Sequence, residues 1–223
     1  MKSKISLNNR SLVIILCILL AWVLTITARF STENECLRQR TNQLERQVEE
    51  QKHQLEELRD INESLQKDLD IVEAISDNTG LPKEVALYLY TGSRDNGIEL
   101  PVVLALVQTE CDFNPTMVNR NSNGTVDVGL MQINSCHSDT WQHLYDEPYT
   151  IDNVLDLEKN INLGLKLLSG HLERNGGDLT AALTAYNRGQ VGMERLRRDT
   201  GSAVSSYSTL IHTRAEYWRT TLQ

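Results

Sequence analysis

The chain has 223 residues, of which 40% are hydrophobic, and a formal net charge of -8 with a pI near 5.2. That length holds one good-sized domain or two small ones with a core. The acidity excludes a nucleic-acid binder, which needs a basic field to displace phosphate counterions. The four cysteines, Cys17, Cys36, Cys111 and Cys136, form no C-x-x-C pair and have no His spaced to complete a zinc site, so no metal or other cofactor is expected.

Residues 11–28 are uncharged and apolar, and as a helix they span roughly 27 Å, close to the hydrocarbon thickness of a bilayer. Lys2, Lys4 and Arg10 precede this stretch, whereas Arg29 is followed by Glu33 and Glu35. The positive-inside rule therefore predicts a single-pass anchor at 11–28, a cytoplasmic N-terminus at 1–10, and export of the remainder to the cell wall or periplasm. A cleaved signal peptide is the alternative, but the apolar core exceeds the usual ~7–15 residues and Ile26-Thr27-Ala28 fits a small-x-small site poorly. Either way everything after about residue 30 is exported. Cys17, inside the apolar segment, reads as a small apolar filler.

Residues 29–76 read as a stalk. Leu37, Leu44, Gln51, Leu58, Leu65 and Val72 occupy d, and Thr41, Val48, Leu55, Asn62 and Leu69 occupy a, giving about five heptads in one register with a charged and amide-bearing outer face. Leu at d with Asn62 at a predicts a parallel homodimer; a single amphipathic helix folding back on its own domain is the alternative. About 40 residues of helix would hold the C-terminal domain roughly 60 Å from the membrane. Cys36 at the membrane end is either a free thiol or half of an intermolecular disulfide. The run Ser76-Asp77-Asn78-Thr79-Gly80-Leu81-Pro82 collects helix-stop and turn residues, which puts the boundary of the last domain at 77–223.

In that domain Pro82 starts a short helical pattern through Leu89 and Tyr90, which Gly92 to Gly97 is expected to break. The run from Ile98 to Thr109 is apolar nearly all round, as in a buried helix, and it ends on Glu110. A carboxyl at a helix C-terminus faces the negative end of the dipole, and partial burial adds to that; both raise its pKa, as a general acid requires. An ordinary surface Glu at a helix end is the bland reading of the same residues. Beyond it, Asn123-Gly124 between Val118 and the pair Val126 and Val128 predicts a small hairpin with Asp127 on its second strand. Helices follow over 157–174, over 178–186 with Asp178 as N-cap and Gly189 past the end, and from Tyr207 onward. The function classes compatible with these residues are an enzyme with two carboxylates facing one cleft, or a non-enzymatic binding scaffold.

E-C-D-F-N-P followed by G-L-M-Q-I-N resembles the E-S-x-F-x-P and G-L-M-Q-I/L pattern of soluble lytic transglycosylase (SLT) domains, and A-Y-N-R-G at 185–189 resembles their A-Y-N-x-G. The form N-x-N-G-T-x-D-x-G-L-M-Q-I-N is most similar to the members that accompany conjugation and secretion machines. The same window is similar to the c-type lysozyme pattern. The resemblance implies a mainly α, α+β lysozyme-like domain that cleaves peptidoglycan glycan strands without a cofactor. It also implies Glu110 as catalytic acid, Asp127 as second carboxylate, and Gly129, Met131, Gln132, Asn134, Tyr186 and Asn187 as substrate-binding residues. A membrane-anchored lytic transglycosylase is the leading expectation, with a secretion or conjugation apparatus as partner. A muramidase using Glu110 and Asp127 is the alternative. Two departures stand out. Cys111 replaces the family's usual Ser, and Cys136 follows I-N-S; the two are either a disulfide pinning the acid's helix to the hairpin or two separate small buried residues. His137, His143 and His171 show no ligand spacing.

Overall fold

The computed structural model describes residues 9–222 of the chain, so Lys2 and Lys4 and most of the expected cytoplasmic segment 1–10 lie outside the described residues. The chain divides into two units, one up to Leu65 and one from Gln66 onward.

The first unit consists of most of helix α1 (Asn9–Thr79). Its N-terminal part is long and apolar enough to cross a membrane and buries none of that stretch. Leu37, Leu44, Val48, Leu55, Leu58 and Leu65 are all exposed along it.

The second unit begins inside α1, eleven residues before the boundary expected at 77, because the last turns of that helix belong to its core. Val72 and Ile75 are buried at 4% and 0% exposure. Asp68 of the same helix accepts hydrogen bonds from Tyr90 and from Arg94, and Glu73 pairs with Lys83. Val72, expected at a coiled-coil d position, is thus spent on the domain.

The architecture is mainly α with a small antiparallel sheet: α2 (Lys83–Asp95), α3 (Leu100–Cys111), β1 (Val118–Arg120), β2 (Val126–Val128), β3 (Ile133–Asn134), α4 (Ser138–Tyr145), α5 (Ile151–Val154), α6 (Leu157–Arg174), α7 (Leu179–Thr200) and α8 (Ser206–Thr221). Helix α2 continues through Gly92 instead of breaking there. A Cβ at Gly92 would come within 2.6 Å of Leu165, so this glycine is a point of close approach to α6 and not a stop signal. Helix α3 buries Val102 through Val107, as its all-round apolar run requires. Helix α8 runs back along it, with Trp218 donating to the Gln108 side chain and Arg214 to Thr109. Ser205 and Ser208 close a reciprocal capping box at the start of α8.

The expected hairpin is present and gains a third strand from the I-N of the Q-I-N motif. Its register pairs Asp127 with Asn119 on one side and Asn134 on the other. Because strand side chains alternate faces, the intervening Val128 and Ile133 enter the core while Asp127 and Asn134 share the opposite face.

Candidate active site

Glu110 sits in the last turn of α3, which stops because Asp112 and Phe113 both adopt left-handed backbone at φ 50° and 60°. The first turn of α8 lies across from that end, and the Tyr207 hydroxyl donates to the Glu110 carboxylate. Burial pushes the Glu110 carboxyl up to about 7, against the Tyr207 hydrogen bond, which lowers it, and with the charge of Asp127, which raises it further. A carboxyl held there is about half protonated at neutral pH, the condition under which it serves as acid and then as base.

Asp127 stands in the same cleft, with one oxygen accepting from Asn134 at 2.7 Å and the other from Asn121 at 2.8 Å. One amide comes from the hairpin turn and the other from β3, so sheet register fixes where this carboxylate points. Tyr186 donates to the Met131 carbonyl at 2.7 Å, and burial raises the Tyr186 hydroxyl pKa well above its ordinary value. It lines the cleft as a neutral hydrogen-bonding wall beside Glu110. Asn187 is exposed on the rim.

The cavity around these groups measures about 820 Å3. Of the expected substrate-binding residues, Gln132, Asn134, Tyr186 and Asn187 line it, and Gly129 and Met131 do not. Met131 is fully buried against Gly164, where a Cβ would come within 2.5 Å of it. Gly129, at φ +80°, allows Asn160 to approach so closely that a Cβ would lie 2.4 Å from its amide. Asn160, fully buried, bonds Met131 N, Val128 O and Val154 O and so locks the G-L-M-Q turn to α6. Gln132 also spends its amide within the fold, on Met117 O, Gly129 O and Asn119. The G-L-M-Q motif therefore shapes the floor of the cleft more than it presents groups to it.

Cys111 and Cys136 are free, so of the two alternatives the structure has the separate residues, with Cys111 buried and Cys136 exposed instead of both buried. The Cys111 thiol is turned into the core, within 3.4 Å of the Val107 and Leu130 carbonyls, whereas Cys136 is exposed on the cavity rim. Burial pushes the Cys111 thiol up to about 11, which makes it a packing group and no nucleophile. No cluster of potential metal ligands occurs among the described residues.

Sequence reasoning missed Tyr207, Asn121, Asn160 and a group at one end of the cavity: His137, His171, Arg174, Arg188 and Gln190. Tyr207 and Glu110 are 97 positions apart, and only α8 packing on α3 brings them together. Asn121 was legible in principle, since the hairpin turn that predicts Asp127 on β2 also brings the residue just after β1 beside it.

These features define a lysozyme-like domain, mainly α with a small sheet, whose cleft holds a partly buried acid and a second carboxylate. Residues 88–207, more than half of the chain, match the family described as Transglycosylase SLT domain, and the chain belongs to that family. It is 33% identical over 99 residues to Protein IpgF of Shigella flexneri, a match covering 44% of this chain and 62% of IpgF. Its structure is similar to that of an inactive mutant of the lytic transglycosylase Slt from Pseudomonas aeruginosa, with a TM-score of 0.50 and 19% identity over 60% of this chain and 24% of that one. That likeness bears on the fold.

Proposed function

We propose that the protein is a membrane-anchored peptidoglycan lytic transglycosylase that cleaves the β-1,4 bond between N-acetylmuramic acid and N-acetylglucosamine. The observation that carries this reading is a partly buried carboxyl, Glu110, poised near neutrality in a polar cleft of a family member. In its protonated form Glu110 donates to the glycosidic oxygen, the C1–O4 bond breaks with its electron pair on O4, and an oxocarbenium-like centre forms at C1, assisted by the acetamido oxygen. The Glu110 carboxylate then takes the proton of the muramic acid 6-hydroxyl as O6 bonds to C1. The product is a 1,6-anhydro sugar, no water is consumed, and Glu110 ends protonated again.

The second reading is a muramidase in which water takes the place of O6 and Asp127 supports the anomeric carbon. It is favoured by the electrostatic coupling of Asp127 to Glu110. It is opposed by the two amides that already occupy the Asp127 oxygens. Mass spectrometry of sacculi digested by the full-length protein distinguishes the two: anhydro ends support the transglycosylase, and free reducing ends overturn it. The apolar part of α1 is proposed as the single-pass anchor with a cytoplasmic N-terminus, which supports placement of the catalytic unit at the wall. The exposed heptad stripe of residues 37–69 supports a parallel homodimer; a monomer by sedimentation at tens of micromolar would count against it. A secretion or conjugation apparatus is the proposed partner, on the N-x-N-G-T-x-D motif.

A further inference from the structure

Tyr149 belongs to none of the motifs and does not line the cavity, yet its hydroxyl reaches the strand pair that carries Asp127. It lies in the segment between α4 and α5, where Asn153 donates to the Pro148 carbonyl and Thr150 caps α5. The ring packs on the core beside the fully buried Trp141, with centroids 6.2 Å apart and planes at 77°. Anchored neighbours and this edge contact hold the ring in place. Its hydroxyl donates to the Ile133 carbonyl on β3 at 2.7 Å and lies 3.4 Å from the Val126 carbonyl on β2. Burial and then the charge of Asp127 raise the Tyr149 pKa, so this donor persists well above neutral pH.

Sheet register gives these two contacts their meaning. Val126 immediately precedes Asp127, Ile133 immediately precedes Asn134, and Asp127 and Asn134 are paired across the strands. Asn134 also donates to the Asp127 carboxylate. One hydroxyl from outside the sheet therefore touches both strands, each time one residue before the carboxylate or its donor. The two strands have three and two residues, and ladders that short are marginal without support from outside. A steady force acts on them as well. The titratable groups facing Glu110 are Tyr207 from α8, Tyr186 from α7 and Asp127 from β2, and Cys136 and Tyr149 also feel the Asp127 charge. Whenever both carboxylates are ionised, Glu110 repels Asp127. The amides of Asn121 and Asn134 oppose that repulsion, and they can do so only while the strands beneath them stay in place.

We propose that Tyr149 is a positioning residue: by tying β2 to β3 from behind, it holds the Asp127 carboxylate at its place beside Glu110. The inference rests on Glu110 and Asp127 sharing one site, and it is the same for an anhydro product and for a reducing end. Without the hydroxyl the strand pair yields to the repulsion, and Asp127 retreats from Glu110. Part of the influence of Asp127 on the acid is then lost, as it is lost entirely when the charge itself is removed.

The test is Tyr149→Phe, which removes one oxygen and keeps the ring against Trp141. In full-length protein in detergent micelles with carbon-13-labelled glutamate, the Glu110 carboxyl is identified by its absence from Glu110→Gln and titrated by NMR. Wild type, Y149F, D127N and the double variant Y149F/D127N are compared. The expected result is a Glu110 midpoint displaced downward in Y149F, in the same direction as in D127N and by no more. In the D127N background Y149F should displace it no further, because Tyr149 acts through the Asp127 charge. The alkaline decline of kcat/KM should follow the same pattern. A group that merely stabilises the fold would lower the melting temperature and leave the midpoint where it is. An unchanged midpoint in Y149F therefore overturns the proposal, as does an equal displacement with and without the Asp127 charge. The titration needs no substrate, so it separates this inference from the catalytic one. The expected coupling in a protein whose wild type cleaves no peptidoglycan would sink the proposed activity and leave the positioning role standing, whereas an active wild type without the coupling would sink the positioning role alone.

Discussion

Glu110 is held between two opposing influences, and each has a separable consequence. The Tyr207 hydroxyl favours its charged form and Asp127 disfavours it. Tyr207→Phe therefore raises the Glu110 pKa and moves the alkaline decline of activity above pH 7, while Asp127→Asn moves it below. Rate against pH for the two variants, measured under kcat/KM conditions, should displace in opposite directions; a common displacement would mean that the cleft rearranges. Tyr207→Phe should also lower kcat about tenfold or more, because the acid loses the group that orients it. A third consequence concerns stability. The folded pKa lies above the unfolded value of 4.5, so the unfolded chain gives up this proton first as pH rises. Stability from this site is intact below pH 4.5, is lost progressively up to about 7, and is fully lost above it. Glu110→Gln removes that dependence. Its advantage in denaturant unfolding should grow from near zero at pH 4.5 to at most roughly 3 kcal/mol at pH 8.

At the level of elements, the two glycines at 129 and 189 decide whether the cleft exists. Gly189 lies in open space, so an added methyl group clashes with nothing; what it meets is a backbone conformation near the glycine-only region, at a cost of about 1–3 kcal/mol. Gly189→Ala should relieve that cost by straightening α7. Arg188 and Asn187 would then turn from the cavity, and KM would rise with little loss of melting temperature. Gly129→Ala, by contrast, drives a methyl group into the Asn160 side chain, and it should cost stability and activity together. Melting curves and KM for the pair separate the two mechanisms. The sequence carried the first half of this arrangement and not the second. Periodicity located α3, α6 and α8, and the Asn123-Gly124 turn located the hairpin, because those signals are local. Gly92 and Gly189 read as stops since a glycine code is the same whether it ends a helix, kinks it or admits a neighbour; only Leu165 packed against Gly92 distinguishes the cases. Glu110 and Asp127 were visible through their motifs. Tyr207 and the Arg174, Arg188 and His171 group were not, because nothing local marks residues that tertiary packing alone brings together.

The molecule as a whole raises the question of where its globular part begins, and here the stop signals at 76–82 mislead in an instructive way. A helix can end at one residue while the core it serves starts a few turns earlier. Burying Val72 and Ile75 contributes about 1.5–3 kcal/mol each, and the exposed pairs of Asp68 with Arg94 and Glu73 with Lys83 add little. Small domains are stable by only about 5–15 kcal/mol, so deleting these turns removes a large share of the total. A chain starting at residue 77 should therefore unfold at markedly lower temperature or aggregate through the exposed face of α2, whereas one starting at Gln66 should melt cooperatively. Differential scanning calorimetry of the two truncated chains checks this, and equal melting temperatures would show that the end of α1 contributes nothing to the fold. If the difference is found, the helix that carries the membrane-spanning candidate also completes the catalytic unit's core. A substitution that unwinds α1 between Gln66 and Ile75 should then lower activity without touching the cleft.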